Sequence, residues 1–501
     1  MLPNVTPNLA KSRTPHTTGH KRGARIAAAV SAAALTLVGC SESTQPTPTT
    51  SDVGIQMFQW NWNSIASECT NTLGPAKISW VLTSPPQEHI QGEQWWTSYQ
   101  PVSYALESKL GTEEEFKQMV STCNDAGVSI IADAVINHMT GQNDPGVGTG
   151  GSSYEHYEYP GIYTKNDFHE CGSTGNDIGN YQNAFEVQNC ELVNLADLKT
   201  ETQHVQDTIA AYLNKLTELG VAGFRIDAAK HMPAQDVQDI VRKLEGNPRI
   251  LQEVIRGAGE PIAPEDYLES GSVFEFSWGK DMESLKSGST FKSFFKAGTG
   301  SKYAPTDKSL IFVENHDTER NGSTLTYKDP QYEIFTALML ASTYGTPVLY
   351  SGYAFSEHDA GAPHAADGKV EDASCVPYVV GGQEYADGTF TCQQSWPLLR
   401  NMVSFRVTAQ DAPVSNEWNE ERDVLAFARD GKGFIAANRN ADPVKGTWAT
   451  SLPAGEYCNG GAGKTWTQTC ESPDISVSND GTVTAEVPAY SALVLSIDQR
   501  K

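Results

Sequence analysis

From residue 53 onward the chain alternates short apolar runs with amphipathic stretches. Residues 54–60 and 78–82 read as two strands, the second closed by Pro85-Pro86. Residues 113–126 carry helical spacing, and 128–135 read as a third strand. Val205, Ile209, Leu213, Leu216 and Leu219 recur at helical intervals and lead into a fourth strand ending at Asp227. Residues 249–252, 273–276 and 310–313 give three more strands, with helical stretches between them. A helix closing over 335–341 precedes an eighth strand at 347–350. Eight strand–helix alternations predict an α/β fold, a (β/α)8 TIM barrel whose site lies at the strand C-termini.

Two segments break the alternation. Residues 139–196 follow the third strand and are rich in Gly, Asn and Tyr. So long an insertion is usually functional, and it predicts a separate inserted domain. After residue 408 the pattern turns to strands such as 424–427, 433–437 and 491–496, with turns such as Asp430-Gly431. That predicts a C-terminal antiparallel β-sandwich domain over 409–501. The barrel then spans 53–138 and 197–408. No internal repeat is visible.

Composition narrows the function classes. Hydrophobic content of 39% with 9% aromatics excludes global disorder. A net charge of -25 repels phosphate backbones, so nucleic acid is not expected as a partner. Residues 1–39 differ in kind: Lys11, Arg13, Lys21, Arg22 and Arg25 stand with no acids. The Ala-rich run 26–38 is too short to span a bilayer. It ends Leu37-Val38-Gly39-Cys40, which resembles a bacterial lipobox, where the Cys is lipidated after cleavage. Residues 40–52 are Ser/Thr/Pro-rich and read as a flexible tether. An exported protein is expected, either lipid-anchored at the cell surface or extracellular, and a monomer. Eight further cysteines in an oxidising compartment suggest four disulfides, though spacing alone cannot choose among 105 pairings. Sequence neighbours suggest Cys69–Cys123, Cys171–Cys190, Cys375–Cys392 and Cys458–Cys470.

The chemistry collects at strand ends. Asp133-Ala-Val-Ile-Asn137-His138 closes the third strand, and Gly223-Phe-Arg225-Ile-Asp227 the fourth. Leu251-Gln-Glu253-Val254 closes the fifth, and Phe312-Val-Glu-Asn315-His316-Asp317 the seventh. Arg225 lies two residues before Asp227, so both side chains share a face of the strand. A guanidinium there should hold Asp227 ionised, as a nucleophile requires. Glu253 has no cation beside it in sequence, which permits the raised pKa of a general acid.

These four stretches, in this order, resemble the four sequence regions of the α-amylase family, glycoside hydrolase family 13. Trp95-Trp96-Thr-Ser-Tyr99-Gln100-Pro-Val-Ser-Tyr104 is similar to the substrate-cleft segment of its animal-type branch. The resemblance implies Asp227 as nucleophile, Glu253 as acid/base and Asp317 as stabiliser of the oxocarbenium-like transition state. It also implies substrate contacts from Trp95, Trp96, Tyr99, Gln100, His138, Arg225, Lys230, His231 and His316. Flat rings suit the apolar C–H faces of sugars. The implied cofactor is calcium, held by the side chains of Asn137 and Asp197 and the backbone carbonyls of Gln188 and His231. His138 and His231 lack a third His or Cys ligand, so a zinc hydrolase is not implied.

Animal enzymes bind an activating chloride through two Arg and an Asn. Arg225 and Asn315 match, but Val348 stands where the second Arg belongs, so chloride is not expected. The implied activity is endo-hydrolysis of α-1,4-glucosidic bonds in starch, glycogen or maltooligosaccharides. A maltooligosaccharide-forming or transglycosylating enzyme of the same family is the nearest alternative. A surface glycan-binding lipoprotein without catalysis is a more distant one, which the intact acids oppose.

Overall fold

The computed structural model describes residues 51–501 except 289, 380–383, 420–422, 467–469 and 472. The expected leader, Cys40 and the tether up to residue 50 lie outside the described residues. Eight strands form a closed parallel ring: β1 (Gly54–Met57), β2 (Trp80–Thr83), β3 (Ser129–Ala134), β4 (Gly223–Ile226), β5 (Arg249–Gln252), β6 (Ser272–Phe274), β7 (Ser309–Ile311) and β8 (Thr346–Ser351). Each strand pairs with its sequence neighbour, and β1 closes on β8 through Gly54 and Val348. These are the eight strands that the apolar runs predict. Their apolar residues need no alternation, because a parallel barrel covers both faces of each strand.

Trp80, Leu82, Ile131, Leu251, Phe274, Leu310, Phe312 and Val348 fill one apolar cluster, and a larger one packs the strands against the helices. Gly223 marks a close approach: a Cβ there would sit 2.3 Å from the Arg249 carbonyl oxygen. Any side chain would push β4, which carries Arg225, away from β5.

Helices α1 (Trp62–Glu68), α2 (Glu113–Asp125), α3 (Ala184–Asn189), α4 (Gln203–Glu218), α5 (Ala234–Val241), α6 (Phe276–Lys286), α7 (His316–Asn321), α8 (Tyr332–Ala341) and α9 (Pro397–Ala409) follow in order. Thr112 and Glu115 form a capping box that fixes the start of α2. One link departs from the predicted alternation. Between β5 and β6 the described chain holds only the 3-10 turn Pro264–Tyr267. The preceding Gly257-Ala-Gly259-Glu-Pro261 cannot sustain a helix, because glycine loses too much entropy and proline lacks a donor.

The insertion between β3 and α4 holds a hairpin of two-residue strands, Gly146–Val147 and Ser153–Tyr154, together with α3. Its Tyr159, Tyr163 and Phe168 pack together as a small aromatic core. Pairing of Met139 N–H with the Ala196 carbonyl closes the base of the loop on the barrel.

Beyond α9, β9 (Val414–Trp418), β10 (Val424–Arg429), β11 (Gly433–Asn438), β12 (Val444–Ala449), β13 (Gly455–Tyr457), β14 (Ile475–Val477), β15 (Thr482–Val487) and β16 (Ser491–Ser496) form two antiparallel sheets. Their orders are β9-β10-β11-β16 and β12-β15-β14-β13. Phe434, Trp448, Val483 and Leu495 share one core between them, as a sandwich requires. All four cysteine pairs suggested by sequence neighbours are bonded.

Candidate active site

Strand register places the acids. Asp133 pairs with Arg225, and Arg225 with Leu251. Ile226 pairs with Gln252, so Asp227 and Glu253 leave the sheet side by side. Directly after Asp227 the chain turns through Ala228, whose φ of 48° is left-handed. That turn aims the Ala228 N–H at Glu253 Oε2, 2.9 Å away. The helical stretch expected after Asp227 is first the 3-10 turn Ala229–His231, and α5 begins only at Ala234. Asp317 arrives from β7 on the first turn of α7. Asn315 caps that helix, its Oδ1 accepting from the Asp317 and Thr318 N–H groups.

Arg225 is the hub. Its Nη1 lies 2.7 Å from Asp133 Oδ1 and 2.7 Å from Asp227 Oδ1, and its Nη2 lies 3.0 Å from Glu253 Oε2. This corrects one expectation from sequence: Glu253 does have a cation beside it, brought by the neighbouring strand. Arg225 itself is 3% exposed and does not line the cavity, although the resemblance implies a substrate contact there. A planar fork suits this shared contact better than an ammonium would.

The charge balance corrects a second expectation. Burial raises the Asp227 carboxyl well above the usual carboxylate range, with Arg225 pulling it down and Glu253, Asp133 and Asp317 pushing it further up. Arg225 therefore moderates the shift without cancelling it. Burial also pushes Asp133 up to about 6 against the same guanidinium. Burial raises the Asp317 carboxyl as well, with Arg225 and Arg320 pulling it down.

A cavity of about 770 Å³ opens over these acids. Of the residues expected at substrate, Trp95, Trp96, Tyr99, Gln100, His138, Lys230, His231 and His316 all line it. Tyr99 donates to Asp133 Oδ2 and stacks on His316, with ring centroids 5.3 Å apart. Burial keeps the His316 imidazole neutral. Gln56 Nε2 donates to its Nδ1, so the proton sits on Nε2, the nitrogen nearer Asp317. Lys230 bonds to the Ile255 carbonyl and to Glu260. Both ring nitrogens of His138 are engaged, Nε2 with the Tyr99 carbonyl and Nδ1 with Asn137.

The cavity also has walls the sequence motifs did not mark. Tyr181, Leu192, Val193 and Leu195 come from the insertion, Ile255 from beyond β5, and His358 from beyond β8. They sit in loops of irregular composition, where no periodicity points at a site. Asp133 carried a signal, since it opens the motif that ends in Asn137 and His138.

The four expected cation ligands lie on two pairs of adjoining segments. Asn137 Oδ1 is buried and has no hydrogen-bond partner among the described residues. The Asp197 carboxylate is buried and accepts from His169 Nδ1 at 2.7 Å. Leu198 N–H bonds to the Asn137 carbonyl, which ties these two segments together. His231 Nδ1 donates to the Val187 carbonyl, and Gln188 Nε2 donates to the Met232 carbonyl, so those two segments also meet. An orphaned amide oxygen and a buried carboxylate form an oxygen set that fits a hard cation.

A family model described as the α-amylase catalytic domain matches residues 78–258, and one for the α-amylase C-terminal all-β domain matches 415–498. An α-amylase of Streptomyces violaceus is 43% identical over 95% of this chain and 79% of its own length. An α-amylase of Tenebrio molitor is 36% identical over 85% of this chain and 92% of its own. Among solved structures, α-amylase I of Eisenia fetida superposes with a TM-score of 0.82 at 33% identity, covering 89% of this chain and 97% of that one. A mutant of that enzyme, with the same TM-score at 32% identity, is described in complex with maltohexaose. The chain belongs to the α-amylase family, glycoside hydrolase family 13, and is an enzyme of that glycosidase class.

Proposed function

We propose that this enzyme hydrolyses internal α-1,4-glucosidic bonds of starch or glycogen with retention of anomeric configuration. The observation that carries the reading is the bridging of Asp227 and Glu253 by one guanidinium under the cavity. Carboxylates set side by side suit a retaining pair, separated by about 5–5.5 Å, better than an inverting pair with a water between. Glu253 protonates the glycosidic oxygen as the bond to C1 breaks, and Asp227 Oδ attacks C1 to form a glycosyl ester. Glu253, now a carboxylate, takes a proton from water, whose oxygen displaces Asp227 from C1. The Asp317 carboxylate stabilises positive charge at the ring in both transition states. Trp95, Trp96 and Tyr99 supply the sugar platform, and Gln100, whose Oε1 is held by Thr140 and Gly141, offers its amide N–H groups.

Product analysis on soluble starch tests this. Reducing ends should appear together with rapid loss of iodine staining, giving a mixture of maltooligosaccharides released as α-anomers. A single product length, or products longer than the donor, would favour the maltooligosaccharide-forming or transglycosylating alternative.

Calcium is the cation the oxygen set suits, held by the side chains of Asn137 and Asp197 and the carbonyls of Gln188 and His231. Bound there, it would supply structural cross-linking of the insertion to the barrel beside Asp227. Excess EDTA is expected to lower Tm by several degrees, read by circular dichroism and restored by added Ca²⁺. An unchanged Tm removes the site.

Activity is expected to be independent of chloride. Val348 sits in an apolar cluster with Trp80, Leu251 and Phe312 and brings no charge of its own for an anion to pair with. Assays in chloride and in nitrate or acetate at equal ionic strength should agree within about two-fold. Strong activation by chloride alone would overturn that reading.

The division into barrel (53–138 and 197–408), insertion (139–196) and C-terminal domain (409–501) is likewise our proposal. So is export with a lipid anchor on Cys40. Cys40→Ser should move the enzyme from the membrane fraction to the medium, and retention in the membrane would refute the anchor.

A further inference from the structure

A second buried guanidinium stands behind the sugar platform. Arg320 sits on α7, four residues after His316 and three after Asp317. Its side chain is 2% exposed and does not line the cavity. Four rings from three other strand ends surround it: Phe58 beyond β1, Trp95 beyond β2, and Tyr353 and Phe355 beyond β8. The guanidinium carbon lies 5.0 Å from the Trp95 centroid and 4.2 Å from that of Phe355. Its ion pair with Glu319 Oε2 is long, at 3.7 Å, and that oxygen already accepts from Tyr350. Arg320 Nη1 donates to the His316 carbonyl at 3.1 Å, and Nη2 to Tyr353 Oη at 3.0 Å. Tyr353 Oη donates in turn to the Ala360 carbonyl, and Trp95 Nε1 donates to the His358 carbonyl two residues earlier. Arg320 thus reaches Trp95 twice, directly at its ring and through the loop that holds its indole N–H.

We propose that Arg320 is a positioning residue for the reaction, fixing the orientation of Trp95 in the cleft without itself touching substrate. The inference rests on the α-glucan reading of the site and deepens it. Trp95 is only half-buried, so little packing on its open side selects a rotamer. A desolvated cation over its face and a tethered carbonyl at its edge supply that selection. The fork matters as well as the charge. A planar guanidinium can stack on a ring while its two Nη atoms reach different acceptors, which an ammonium on a flexible stem does less well. A platform held in place beforehand lowers the ordering cost of binding. That gain is made equally in ground and transition states, so its loss should appear in KM rather than kcat.

Steady-state kinetics on maltoheptaose, arranged as a double-mutant cycle with Trp95, test this. Arg320→Met is expected to raise KM about five-fold. Arg320→Lys keeps a cation but loses the fork, so KM should rise about two-fold to three-fold with kcat within about two-fold of wild type. In a Trp95→Ala background both substitutions should leave KM within about 1.5-fold of Trp95→Ala alone, because the ring through which Arg320 acts is gone. A merely structural residue would instead lower the active fraction, and so the apparent kcat, equally in both backgrounds. Wild-type KM in Arg320→Met would overturn the proposal. So would a KM rise of undiminished size in the Trp95→Ala background. Should Arg320→Met fail to fold, Arg320→Lys decides through the same cycle. If wild-type enzyme left maltoheptaose intact, the proposed function would fail first, and the two failures remain distinct.

Discussion

Replacing Asp227 with Asn is expected to lower kcat on soluble starch by about 10⁴-fold or more, with Tm within about 2 °C of wild type. An amide has nearly the shape of the carboxylate and can still offer Oδ1 to Arg225 Nη1, so the barrel rim should survive. It cannot form the glycosyl ester, and the two-step route closes. Steady-state rates and a thermal melt check the two halves of the expectation. Turnover within tenfold of wild type would place the nucleophile elsewhere. The wild-type pH profile adds a signed consequence. Activity needs ionised Asp227, which is present above its folded pKa and lost as pH falls through it. Burial raises that pKa, so the acid limb of kcat/KM should lie above the ordinary carboxylate value of about 4.

Arg225→Met should be the most damaging change to the fold at this site. It removes the only cation in direct contact with Asp133, Asp227 and Glu253 among the described ion pairs. Breaking a buried charge cluster from one side costs about 3–5 kcal/mol, because the partners stay buried without compensation. The loss has a direction in pH. Without Arg225, Asp133 and Asp227 titrate still higher in the folded state than in the unfolded chain. The folded state then binds more protons, and stability falls as pH rises from the unfolded value of about 4. Urea unfolding at pH 5 and pH 7.5 should therefore show the larger deficit at pH 7.5. Activity at neutral pH should fall by at least about 10²-fold, and the acid limb should move to higher pH. Equal stability deficits at both pH values would mean that the guanidinium does not balance these carboxylates.

The acids at the strand ends were legible because a barrel strand is a local object. An apolar run ending in Asp227 or Glu253 shows in a few residues, and the barrel then sends every such end to one rim. The charge environment was not legible in the same way. Glu253 looked free of cations because no Lys or Arg flanks it in sequence, yet the β4–β5 register brings Arg225 Nη2 within 3.0 Å. Asp227 looked held in its ionised form by Arg225 alone. Three further carboxylates gathered by folding, and burial acting on all of them, set its direction instead. The helix expected between β5 and β6 failed for a local reason, the glycines and proline at 257–261. The insertion's share of the cavity could not be read at all, because Tyr181 and Val193 sit in turns whose place depends on where the loop closes against the barrel.

By itself, then, the sequence determined the eight barrel strands, the C-terminal strands, the acids Asp227, Glu253 and Asp317, and the aromatic segment from Trp95 to Tyr99. Hydrophobic period and strand-end residues are properties of neighbouring positions. Only the tertiary structure decided that one guanidinium serves three carboxylates, that burial lifts Asp227, and that Arg320 lies against Trp95. Those depend on register, dielectric and loop closure, which bring together residues far apart in the chain.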